Sequence, residues 1–243
     1  MGQSDLKGQL CLVTGASGGV GGAIALALAR QGATVILAGR NAERLAAAAQ
    51  GVVAGGGEAH VREVDLACEE NVRALGEWIA GRWGRLDILV HSAGVHSTAK
   101  TEEASLAELD RLFQSNVRGP YALTQRLLPL LKAPRGQVVF INSSAGLAAR
   151  AGVGQYSAMQ HASKALADAL RDEVNPDHVR VLNVHLGRTA TPMIARVFAE
   201  EGRAYDPSRL LQPEDVAAIV VSSLVLPWTA EVTSISIRPM NKS

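Results

Sequence analysis

Eight residues near the start of the chain, Thr14-Gly15-Ala16-Ser17-Gly18-Gly19-Val20-Gly21, have the composition and spacing to hold a phosphate. They follow an apolar run, Gln9 to Val13, and lead into an alanine-rich segment, so the order is strand, glycine turn, helix. In that context Gly15 can make the tight turn, Gly19 lets the backbone approach a pyrophosphate, and Gly21 lets the helix pack close to the sheet. The helix N-terminus, opening near Val20, then offers free N–H groups and a positive dipole end to the anion. A second contact lies at the end of the next apolar run, Leu37-Ala38-Gly39-Arg40-Asn41. No carboxylate stands there to bind a ribose 2′-hydroxyl, and Arg40 suits a 2′-phosphate instead, with the Ser17 hydroxyl as its companion. These residues point to NADP(H) in preference to NAD(H).

Such a site needs a parallel sheet to carry it. Short β-branched or leucine-rich runs alternate with longer amphipathic segments along the whole chain, the pattern of a sheet covered by helices on both faces. The runs predict strands near 9–14, 33–38, 58–64, 86–91, 136–142, 178–184 and 231–237. Helices are expected near 19–31, 41–54, 68–82, 102–131, 153–174 and 213–225, the fourth broken before Pro120 and ended near Pro134. Seven strands make one doubly wound α/β sheet, a single-domain Rossmann fold spanning 1–243. Gly55-Gly56-Gly57 fits a helix exit, not a linker, because strand residues resume at Glu58. The stretch near 190–212 interrupts the alternation and reads as a short helical flap over a substrate pocket.

Composition narrows the partners. The 243 residues are 47% hydrophobic, enough for one large core, and 24 basic against 23 acidic side chains leave a net charge of +1. With no basic stripe, neither nucleic acid nor anionic lipid is expected, and small molecules are. No apolar run reaches membrane-spanning length, and Met1 to Gln9 lacks the apolar core of a signal peptide. Cys11 and Cys68 form no C-x-x-C pair and have no histidine spacing for zinc, so no metal is expected. A cytoplasmic setting follows from these features.

The ordered motifs resemble the short-chain dehydrogenase/reductase family. Thr14, Gly15, Gly19 and Gly21 match its Thr-Gly-x-x-x-Gly-x-Gly loop. Asp65-Leu66 resembles its adenine-contacting pair, and His91-Ser92-Ala93-Gly94 its Asn-Ala-Gly signature. Asn116 matches a helix asparagine, Ser143 and Tyr156 keep the thirteen-residue spacing of its serine and tyrosine, and Leu186-Gly187-Arg188-Thr189-Ala190-Thr191 resembles its nicotinamide segment, Pro-Gly-x-x-x-Thr. The resemblance implies an NADP(H)-dependent oxidoreductase acting on a carbonyl compound or its alcohol. Tyr156 would protonate the carbonyl oxygen as hydride arrives, Ser143 would hydrogen-bond that oxygen, and Asn116 would hold a water in the proton path. Gly15, Ser17, Gly19, Val20, Gly21, Arg40, Asp65, Leu66, Ala93, Gly94, Gly187, Thr189 and Thr191 would bind the cofactor together with Tyr156 and Gln160.

One departure bears on the chemistry. Residue 160 is Gln where the family's Tyr-x-x-x-Lys motif places a lysine that lowers the tyrosine pKa and grips the nicotinamide ribose. One helical turn from Tyr156, Gln160 can still grip, but it brings no charge. A unit charge about 5 Å away at an effective dielectric near 20 is worth roughly 3 kcal/mol, or about two pKa units. Lys164, about 80° round the helix from Tyr156, is poorly placed to substitute, and His161 reads as a helix-face residue. Ser92 stands for an asparagine that pins the central strands, and Leu186 for a proline that shapes the nicotinamide pocket. Weakened catalysis is therefore expected, with a non-catalytic NADP(H)-binding sensor or assembly partner as the alternative. Val153, Met193, Ile194 and Phe198 suggest an apolar substrate, and the family's habit of pairing through its long helices suggests a homodimer or homotetramer.

Overall fold

The computed structural model describes residues 6–241, so most of the reading of Met1 to Gln9 falls outside the described residues. Seven parallel strands form one sheet: β1 (Leu10–Thr14), β2 (Thr34–Gly39), β3 (Glu58–Glu63), β4 (Ile88–His91), β5 (Gln137–Ser143), β6 (Arg180–Leu186) and β7 (Ser234–Ile237). Their order is β3-β2-β1-β4-β5-β6-β7. The chain thus starts at the middle, winds out to β3, and returns to lay β4 against β1, where Leu12 pairs with Leu89. That reversal opens a crevice beyond the carboxyl ends of β1 and β4, the place where doubly wound sheets bind ligands.

Strand alternation feeds two cores. Cys11 and Val13 of β1 point to one face and pack with Ile24 and Leu28 of α1 (Gly19–Arg30) and Val216 and Val220 of α8 (Pro213–Leu224). Leu10 and Leu12 point to the other, among Leu75 and Ile79 of α3 (Glu69–Trp83), Leu123 and Leu127 of α5 (Gly119–Lys132) and Ala167 of α6 (Gly154–Val174). β1 is buried along its whole length, as a central strand covered on both faces must be. The remaining helices are α2 (Ala42–Ala54), α4 (Leu106–Phe113) and α7 (Pro192–Glu200).

Three expectations need correction. The fourth helix starts at Leu106, not near 102, because the Ser105 hydroxyl accepts the Glu108 N–H at 3.1 Å and caps it there. It does not break before Pro120: the axis runs through a wider π turn over Gln114–Arg118 into α5, whose first turn holds Pro120 where a missing N–H costs little. The seventh strand opens at Ser234, not 231, since the Glu231 side chain is turned to accept the Val181 N–H at 2.8 Å. In the stretch near 190–212 lie α7, capped by the Thr191 side chain, a single 3₁₀ turn at Pro207–Arg209, and a bridge from Thr189 to Leu211. Among the described residues no helix is long and apolar enough to cross a membrane, and no cluster could hold a metal ion.

Candidate functional site

A cavity of about 420 Å³ occupies the crevice, within the range of small-molecule sites. The proposed catalytic and cofactor residues line it: Gly15, Ser17, Gly19, Val20, Gly21, Arg40, Asp65, Leu66, Ala93, Gly94, Asn116, Ser143, Tyr156, Gln160, Gly187, Thr189 and Thr191. Of the apolar residues expected to face the substrate, Met193 and Ile194 line it too, whereas Val153 and the buried Phe198 do not.

At one end the glycine loop leaves no room for side chains. A Cβ on Gly15, whose φ is 69°, would stand 2.7 Å from the Ala93 nitrogen, and one on Gly21 would stand 2.5 Å from the Gly15 carbonyl oxygen. Gly18 precedes α1 without any side-chain cap, so the first-turn N–H groups are uncommitted to a cap, and Gly18, Gly19, Val20 and Gly21 line the cavity. The Thr14 hydroxyl accepts the Ser92 and Ala93 N–H groups at 3.1 and 3.2 Å and donates to the Val90 carbonyl at 3.3 Å. Thr14 thereby joins the ends of β1 and β4, a task expected of the side chain at position 92.

Arg40 follows β2, and Arg44, which the sequence reading did not single out, joins it from the first turn of α2. The Asn41 side chain accepts the Arg44 N–H at 2.8 Å and so aims this turn. Arg44 Nη2 lies 3.0 Å from the point where a side chain on Gly18 would begin, and Ser17 Oγ lies 3.7 Å from the corresponding point on Gly39. Neither guanidinium forms an ion pair among the described residues. Two unneutralised guanidinium groups beside a serine hydroxyl can hold a dianion. Asp65 closes this side, one of its carboxylate oxygens accepting the Ala67 N–H at 3.0 Å.

At the other end Ser143 terminates β5 and Tyr156 rises from the first turn of α6. The Ser143 hydroxyl accepts the Ala145 N–H at 3.1 Å, which frees its own hydrogen for the cavity, and it acts on the Tyr156 hydroxyl across from it. Burial of the hydroxyl end pushes the Tyr156 phenol above its ordinary value, and Ser143 draws it part of the way back. Gln160 is buried one turn further on. Its carbonyl accepts from Asn142 Nδ2 at 3.1 Å, and Asn142 Oδ1 accepts the Ser143 N–H at 2.6 Å. Asn142 thus locks the Gln160 turn to the end of β5. This buried residue was missed, though an amide directly after the apolar run 138–141 was a visible signal.

Asn116 sits in the π turn, with Oδ1 accepting the Val95 N–H and Nδ2 donating to the Val95 carbonyl, both at 2.8 Å. Its side chain is spent on shaping the loop after β4, so any water expected at Asn116 would have to use its backbone. Lys164 Nζ is held by Asp168 at 2.6 Å, and it is absent from the residues lining the cavity. His161 Nδ1 donates to the Ser157 carbonyl at 2.9 Å. Neither side chain brings a cation from α6 into the cavity. Thr189 donates to the Gly187 carbonyl at 3.1 Å, and Thr191 starts α7, from which Met193, Ile194 and Arg196 reach the cavity.

Comparison with protein families matches residues 9–202 to the short chain dehydrogenase family. An uncharacterized oxidoreductase of Staphylococcus epidermidis is 30% identical over 236 residues, covering 97% of this chain and 99% of that protein. The Escherichia coli oxidoreductase YciK, also uncharacterized, is 36% identical over 88% of this chain and 85% of its own length. Among solved structures, a metagenomic short-chain oxidoreductase in complex with NADP superposes with a TM-score of 0.85 at 30% identity, covering 98% of this chain and 99% of the other.

Proposed function

Since the chain belongs to the short-chain dehydrogenase family of oxidoreductases, we propose that it uses NADP(H) to reduce the carbonyl of a small apolar compound, or to oxidise the matching alcohol, at a rate held back by Gln160. The observation that carries this reading is a single cavity with a Ser143–Tyr156 hydroxyl pair at one end and the unneutralised Arg40 and Arg44 at the other. Relatives described as oxidoreductases and a neighbour solved with NADP support it.

The cavity residues fit that cofactor. The glycine loop would take the pyrophosphate, Ser17, Arg40 and Arg44 the 2′-phosphate, Asp65 and Leu66 the adenine, and Gln160 with Tyr156 the nicotinamide ribose. Bound there, the reduced nicotinamide supplies the hydride. Negative charge then develops on the substrate oxygen, where the Ser143 hydroxyl donates a hydrogen bond and the Tyr156 hydroxyl delivers its proton. A phenol with a raised pKa stays protonated at neutral pH, the state reduction requires, but its phenolate is poorly stabilised beside a neutral Gln160. Met193 and Ile194 of α7 make this helix and the turn after it the substrate flap. The reading also carries a cytoplasmic setting and a homodimer or homotetramer, which sedimentation would test.

The test is NADPH oxidation over a panel of aldehydes, ketones and diketones. The parent should turn over, Tyr156→Phe should be silent, and Gln160→Lys should raise kcat at neutral pH by about tenfold to a hundredfold. Gln160 also favours a second reading, a protein that binds NADP(H) without turnover. Tight NADPH binding with activity only after Gln160→Lys would establish that one instead.

A further inference from the structure

Tyr156 has an aromatic neighbour that the chemistry above leaves unused. The ring of His96, two residues past Gly94 in the loop after β4, lies 4.5 Å from the Tyr156 ring between centroids, with the planes at 55°. His96 is not among the residues lining the cavity, so its contact with the site runs through that ring. It is partly exposed and can exchange protons with water.

The charges around His96 come from several elements. Glu200 and Glu201 act on it from the end of α7, Arg188 acts on it from the segment after β6, and Arg111 of α4 donates to its backbone carbonyl at 3.3 Å. Glu108, paired with Arg111, flanks the same loop, where Ser97 acts on its carboxylate. On balance the proton affinity of the imidazole lies below its ordinary value: burial lowers it most, the two glutamates raise it, and Arg188 lowers it. Tyr156 itself responds to burial and to Ser143, and no lysine or arginine among the described residues acts on its phenol. A charge on the His96 ring would lie 4.5 Å from the centre of the Tyr156 ring, into which a phenolate's negative charge delocalises, a separation at which an opposite charge stabilises an ionised neighbour.

Resting on the reading of Tyr156 as proton donor, we propose that His96 is a positioning residue that supplies the positive charge absent at position 160, its imidazolium facing the Tyr156 phenolate. In the reduction, hydride brings an electron pair to the carbonyl carbon, the C=O π pair moves to oxygen, and that oxygen takes the Tyr156 proton. His96 takes up one proton from solvent as the phenolate forms, and the pair is reset when Tyr156 is reprotonated. Each turnover consumes one hydride and one proton.

The test separates charge from packing and does not depend on turnover. Fluorinated tyrosine, which ionises near neutral pH, replaces the three tyrosines, and the difference from Tyr156→Phe isolates the Tyr156 phenolate absorbance in cofactor-free protein. His96→Phe, which keeps a ring on Tyr156, should raise the phenolate midpoint by about one pH unit, and adding Gln160→Lys should lower it again. His96→Gln should act like His96→Phe and covers the case in which the latter misfolds. With NADPH and a carbonyl substrate, parent kcat should climb about tenfold from pH 8 to pH 6, and both His96 variants should flatten that climb. An unmoved midpoint in either folded variant overturns the proposal. A moved midpoint with no carbonyl turned over upholds the His96 pairing while removing the oxidoreductase reading.

Discussion

Arg44 illustrates how one side chain can complete a site that its neighbours only begin. Arg40 and Ser17 were legible because each sits at a strand end or in a glycine loop, whereas Arg44 lies three residues inside a helix and its reach toward Gly18 depends on the Asn41 cap. A charge-assisted contact to a phosphate is worth roughly 1.5–3 kcal/mol, so Arg44→Ala should cut NADPH affinity about tenfold to a hundredfold and leave NADH affinity unchanged. Fluorescence titration with both cofactors checks this. His91 is a different case. Its Nε2 lies 2.8 Å from the Thr124 hydroxyl, which donates to the Pro120 carbonyl, so the imidazole donates from Nε2 and Nδ1 is left without a partner. Burial pushes its pKa from 6.5 down to about 3. Between those values the unfolded chain binds the proton and the folded one does not, so His91's contribution is intact above about pH 6.5 and lost progressively below it. At pH 5 the loss is about 2 kcal/mol, and the lowered His96 and His185 add to it with the same sign. His91→Leu should be less stable at pH 7, having lost the Thr124 bond, yet should show a shallower fall to pH 5 in urea unfolding.

At the level of elements, close approach decides more than propensity. The first turn of α1 touches the loop that precedes it at Gly21, where an added Cβ would meet the Gly15 carbonyl at 2.5 Å. Gly21→Ala should displace the phosphate loop, weaken NADPH binding at least about a hundredfold and destabilise the fold by about 1–3 kcal/mol. Gly51 is its control: it lies inside α2 with nothing within 4 Å of the added Cβ, and Gly51→Ala should stabilise the protein by about 0.5–1 kcal/mol with binding unchanged. Calorimetric titration and thermal unfolding of both variants separate the two effects. The strands and most helices were readable because short continuous apolar runs and a period of 3.6 are local properties. The π turn was not. It places Asn116 against Val95, 21 residues away, and Pro120 alone gave no sign that the helix would widen before it.

For the molecule as a whole, the return of the chain from β3 to β4 beside β1 is what creates the cavity. A ligand that binds only the folded crevice must stabilise the whole domain. NADPH at a hundred times its Kd should add about 2.7 kcal/mol, and NADH at the same concentration distinctly less, as seen in shifts of Tm. Within this frame, the sequence by itself determined the seven strands, the doubly wound class, the glycine loop after the first strand and the neutral side chain at position 160. Each of those is carried by residue type and spacing within a single segment, where sterics and periodicity act directly. Only the tertiary structure decided that Arg44 reaches Gly18, that Asn142 locks the Gln160 turn, and that His96 lies on the Tyr156 ring. Those relations depend on where packed helices and loops come to rest in three dimensions, and on which rotamer each side chain then takes, neither of which a local pattern specifies.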